Sequence, residues 1–67
     1  MDPKAIAKKL IALRGNRSRR EVAEACDIST SALSMYENGE RVPKDEIKVK
    51  LANFYKISVE SLFYAPK

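Results

Sequence analysis

Three guanidinium groups crowd into four consecutive positions, Arg17, Ser18, Arg19 and Arg20, and the chemistry open to them is the binding of phosphate-rich anions. Residues 1 to 20 carry seven bases (Lys4, Lys8, Lys9, Arg14, Arg17, Arg19, Arg20) against one acid, Asp2, a charge of +6; the rest of the chain carries six bases against eight acids, a charge of −2. The excess at one end raises the local anion concentration, although Lys and Arg also serve simply to solvate a helix face. Catalytic means are few. The chain has no His and one Cys, which excludes a Cys/His metal site and a His-based triad, so neither metal nor cofactor is expected. Asp45 and Glu46 are neighbouring carboxylates in the first turn of a helix, where they complement the helix dipole more readily than they form an acid–base pair. Ser18, Ser29 and Ser58 stand at helix starts, where a hydroxyl caps backbone amides before it acts as a nucleophile. Cys26 cannot close an intrachain disulfide and suits a reducing cytoplasm, packed as a small apolar filler. An enzyme is not expected.

The elements that hold these groups follow from length and punctuation. At 67 residues and an ordering cost of roughly 1.5 kcal/mol per residue, the chain must bury nearly all its large side chains in one core, a single domain over residues 1–67. The longest apolar run, Leu10 to Leu13, is far below the ~20 residues that span a bilayer, so no membrane segment is expected. Asp2 before Pro3 caps a helix that runs to about Arg14, with Ile6, Leu10 and Leu13 on one stripe, and Gly15 and Asn16 end it. Ser18 with Glu21 forms a capping box for a second, short helix over about Arg19 to Cys26. Ser29 caps a third from Thr30 to about Asn38, with Leu33 and Tyr36 inward, and Gly39 terminates it. Pro43 opens a fourth, lined by Ile47, Leu51, Phe54 and Tyr55. Ser58 caps a last short helix ending near Phe63. The sequence predicts an all-α fold of five helices with no β-hairpin.

The connection from Cys26 to Ser29 is too short for antiparallel packing, so helices two and three must cross steeply as a helix-turn-helix. Such a crossing needs a small residue at the point of contact, and Ala23 stands there. The turn needs a residue that tolerates positive φ, which Asp27 does at modest cost, and an apolar plug behind it, which Ile28 supplies. With Leu33 and Tyr36 inward, Thr30, Ser31, Ser34 and Met35 fall on the side away from the core. That face is uncharged and short, beside a strongly basic flank. Taken alone its hydroxyls read as ordinary solvated residues; within the turn they suit contact with base edges while the Arg side chains grip phosphates.

The stretch from Leu13 to Phe63 resembles the Cro/repressor-type (Xre) helix-turn-helix family. The residues that carry the likeness are Ser18-Arg-Arg-Glu-Val-Ala-Glu-Ala-Cys-Asp-Ile-Ser29, Ala32-Leu-Ser-Met-Tyr-Glu-Asn-Gly-Glu-Arg-Val-Pro43, Leu51-Ala52 and Ile57-Ser-Val-Glu-Ser-Leu62. The resemblance implies a compact, five-helix, lambda-repressor-like DNA-binding domain of a bacterial or phage transcriptional regulator, acting in the cytoplasm on the nucleoid. It implies that the third helix reads base edges through Thr30, Ser31, Ser34 and Met35, and that Arg19, Asn38 and Arg41 contact phosphates; the charge of Arg17 and Arg20 suits them to the same task. It implies that Arg14 and Glu37 form an internal salt bridge. Arg19 departs from the family's usual Gln, Asp27 from its usual Gly, and the segment between Arg14 and Ser18 is about two residues shorter than the family's loop.

One recognition helix reads only a few base pairs, so a homodimer on a near-palindromic operator is expected, with Phe63 and Tyr64 as candidate interface residues. A small repressor is expected; regulation would come from occluding RNA polymerase, or from touching it to activate, and the sequence does not choose between the two. A protein-interaction module on the same scaffold, of antitoxin or antirepressor type, and a recombination accessory factor are the alternatives.

Overall fold

The computed structural model describes residues 2–64. Five helices follow in order: α1 (Pro3–Arg14), α2 (Arg19–Ala25), α3 (Thr30–Glu37), α4 (Asp45–Tyr55) and α5 (Glu60–Tyr64), the last a short π-helical turn. No strand occurs among the described residues.

Side-chain caps precede four of these helices. The Asp2 carboxylate accepts from the Lys4 amide at 3.0 Å, Ser18 Oγ from the Glu21 amide at 3.0 Å and Ser29 Oγ from the Ala32 amide at 3.0 Å, each satisfying a backbone donor that helix geometry leaves unpaired. Ser58 Oγ accepts from the Ser61 amide in the same way ahead of α5. Pro43 does not open α4. It is buried, and α4 begins after Lys44, which makes no side-chain cap; Asp45 and Glu46 then place two carboxylates in the first turn against the positive end of the dipole.

Leu10, Val22, Leu33, Leu51 and Leu62, one from each helix, are fully withdrawn from solvent, and Ile6, Ala23, Cys26, Tyr36, Ala52 and Phe63 complete the core around them. α1 packs on α3, α3 on α2, and α5 closes against α1. Lys9 Nζ ties the last contact by donating to the Ser61 carbonyl at 3.1 Å. Phe63 therefore seals the core at 5% exposure and offers no surface for association, whereas Tyr64 is 53% exposed. This corrects the expectation for Phe63: on α5 the side chains of Leu62 and Phe63 both turn inward.

The turn between α2 and α3 holds both helices by backbone bonds. The Ile28 amide donates to the Ala23 carbonyl at 2.9 Å, Asp27 takes φ 56°, and Ile28 packs against the core. Ala23, 1% exposed, lies at the crossing, where a larger side chain would force the helices apart.

Candidate functional site

The outward face of α3 begins with Thr30 and Ser31, both exposed, and continues with Ser34 and Met35, both half-buried. Its inward face is Leu33 and Tyr36, at 0% and 5% exposure. The period of the helix thus separates a neutral stripe from the core, and the one charged residue of α3, Glu37, is buried at the edge between them.

At the end of α3 lies an ionic cluster larger than a pair. The Glu37 side chain has no solvent exposure, and both oxygens are taken: Arg14 Nε donates to Oε2 at 2.9 Å and Arg19 Nε to Oε1 at 2.8 Å. Arg14 Nη1 also donates to the Arg17 carbonyl at 2.9 Å, and Arg19 Nη1 to Ser34 Oγ at 3.3 Å. Two guanidinium groups on one carboxylate leave a net positive charge, and the Arg19 side chain remains 38% exposed. The second arginine is what sequence reasoning missed. A carboxylate accepts through two oxygens, and a fully buried one calls for donors on both.

Arg17 lies in the loop before α2, with its guanidinium carbon 5.5 Å from the Phe54 ring centre and 6.0 Å from that of Tyr55. Its Nη1 donates to the Leu13 carbonyl at 3.1 Å. This cation is directed at two aromatic faces on α4, an attraction that depends on the ring quadrupole. Arg20 is exposed and pairs with Glu24 one turn along α2 at 3.1 Å, a contact of little strength in water. Arg41 and Asn38 are exposed in and before the segment that follows α3. That segment is held by Gly39 at φ +75°, a backbone conformation that favours glycine; a Cβ there would meet Lys4 on α1 only at ordinary contact distance, 3.4 Å, so the backbone and not the space calls for glycine.

Two buried polar groups lie outside the expected site. Lys48, 6% exposed, donates to Tyr64 Oη at 2.7 Å and to the Asp45 carboxylate at 3.4 Å, with its ammonium 4.8 Å from the Tyr64 ring centre. The Tyr64 bond, above all, raises its pKa over the ordinary lysine value. Tyr55 Oη is buried without a hydrogen-bond partner among the described residues, and burial pushes its phenol up to about 12. The burial of Lys48 does not signal itself in sequence, because a lysine is most often solvated, whereas Tyr55 falls on the apolar face of α4 and only its lack of a hydrogen-bond partner is unforeseen.

A helix-turn-helix family model matches residues 6–62, from the first buried residue of α1 to the buried leucine of α5. No curated protein and no solved structure gives a significant match. No helix is long and apolar enough to cross a membrane among the described residues.

Proposed function

From the premise that this chain belongs to the Cro/repressor-type helix-turn-helix family of DNA-binding regulators, we propose that it is a small repressor that binds a near-palindromic operator as a homodimer. The observation that carries this reading is the uncharged outer stripe of α3 next to a basic flank. Thr30, Ser31, Ser34 and Met35 have the hydroxyls and the apolar group that suit base edges and thymine methyls in the major groove. Arg20 and Arg41 are exposed cations suited to phosphates, and Asn38, three residues before Arg41, is exposed with a carboxamide donor in reach of solvent. Arg17 and Arg19 add charge to the same stretch of chain as Arg20, although each, like Arg20 with Glu24, already has a partner within the fold.

A single α3 covers too few base pairs to mark one site in a genome, and a two-fold dimer with recognition helices about 34 Å apart doubles the read. Tyr64 is the exposed aromatic group that supports association through α5. Repression then follows from denying RNA polymerase the same stretch of duplex.

Titration of a duplex at several salt concentrations tests the proposal. A DNA-binding regulator loses affinity steeply as salt rises, because each phosphate contact releases counterions. A module that binds only proteins would show no such slope, and an accessory recombination factor would bend the duplex without excluding polymerase.

A further inference from the structure

Ser34 Oγ lies 3.3 Å from Arg19 Nη1, and the direction of the contact is set by chemistry: a guanidinium has only donors, so the serine oxygen accepts. Arg19 is anchored for this task. Its Nε donates at 2.8 Å to Glu37 Oε1, and that carboxylate is fully buried and held from its other side by Arg14 at 2.9 Å. Two N–H groups of one planar fork thus grip Glu37 and Ser34, which stand three residues apart on the same face of α3. Among the described residues no acceptor takes the Ser34 hydroxyl proton.

We infer that Arg19 is a positioning residue that makes Ser34 a directed hydrogen-bond donor, and so sets the base preference at the base pair that Ser34 meets. This rests on the reading that α3 enters the major groove. A hydroxyl that accepts from a cation donates more strongly, and the nearby positive charge opposes a second donor aimed at the same oxygen. Ser34 so polarised favours an acceptor on the base edge, N7 or O6 of guanine, N7 of adenine or O4 of thymine. It disfavours the amino group of cytosine. An arginine that merely touched phosphate would strengthen binding to every sequence alike.

The test selects bound duplexes from a random pool with the wild type, Arg19→Ala, Arg19→Met, Arg19→Gln, Ser34→Ala and the Arg19→Ala/Ser34→Ala double variant, each checked for helix content by circular dichroism. The wild type is expected to select against cytosine at one position. Arg19→Ala and Ser34→Ala should both lose that preference, by about fivefold for one hydrogen bond, at the same position. Arg19→Gln, which keeps an N–H donor, should recover part of it, and the double variant should match Ser34→Ala there. Arg19→Met keeps the side-chain stem without its donors and gives the same reading should Arg19→Ala not fold. If either donor-free variant keeps the wild-type profile while binding all duplexes more weakly, Arg19 acts on phosphate and the inference is overturned. A wild type that selects no duplex removes the DNA-binding proposal itself, a different outcome from a selective wild type indifferent to Arg19.

Discussion

Arg14 and Glu37, the last residues of α1 and α3, meet through a 2.9 Å bond from Nε to Oε2, and this contact fixes the far end of the candidate recognition helix to the first helix of the fold. Because Arg19 takes the other oxygen, the carboxylate is the hub and each arginine a spoke.

Removing the hub should cost more than removing either spoke. Glu37→Ala strands two guanidinium groups and is expected to destabilise by about 3 kcal/mol, whereas Arg14→Ala leaves Arg19 on the carboxylate and should cost roughly half as much. For a domain of this size each kcal/mol lowers the melting temperature by about 4–8 °C. Thermal melts of the two variants check the order, and equal shifts would contradict it.

Asp27 holds φ 56° in the turn between α2 and α3, and its ion pair with Lys50 is long, at 3.9 Å, and largely solvated. Glycine removes the steric cost of that conformation and loses little else. Asp27→Gly should stabilise by up to about 1 kcal/mol, and Asp27→Val should destabilise by about 1–2 kcal/mol. Denaturant midpoints measure both, and a less stable glycine variant would mean that the Asp side chain supports the turn.

Much of this fold is legible from local chemistry, and the residues that are not share a reason. Asp2, Ser18, Ser29 and Ser58 announce helix starts because each bonds an amide two or three residues away, and Asp27 announces the turn because few residues tolerate its backbone. The Arg19–Glu37 bond and the burial of Lys48 depend on partners 18 and 16 residues distant, and the inward turn of Phe63 on the packing of α5 against α1, none of which a local pattern encodes. The same holds for Arg17, whose charge predicts a phosphate but whose guanidinium also lies over two rings on α4.

Tyr55 should make the fold sensitive to alkali. Its phenol is pushed up to about 12 from 10.0, chiefly by burial, so the folded protein keeps a proton that the unfolded chain releases. The stability tied to this group is complete below pH 10 and is lost as pH climbs toward 12, by at most about 1.4 kcal/mol per pH unit. Lys48 and Cys26 shift in the same direction, so the comparison is with Tyr55→Phe. That variant also removes a buried hydroxyl with no partner, and should equal or exceed the wild type in stability at neutral pH and lose less of it above pH 10. Denaturation curves at pH 7, 10 and 11 decide this, and parallel losses in both proteins would contradict it.

Arg41→Ala and Arg20→Ala should weaken binding to all duplexes alike. Each is expected to reduce the slope of log affinity against log salt by about one unit, the signature of one lost phosphate contact. A change in base preference with an unaltered slope would assign the residue to base reading instead.

The central claim is that the outer stripe of α3 reads DNA. Selection of bound duplexes from a random pool at two ionic strengths, for the wild type and for Thr30→Ala, Ser31→Ala and Met35→Ala, tests it most directly. The account predicts a near-palindromic motif for the wild type, affinity that falls steeply with salt, and a changed base at a distinct position for at least one variant. A wild type that enriches no sequence even in dilute salt, or a motif untouched by all three substitutions, would contradict it.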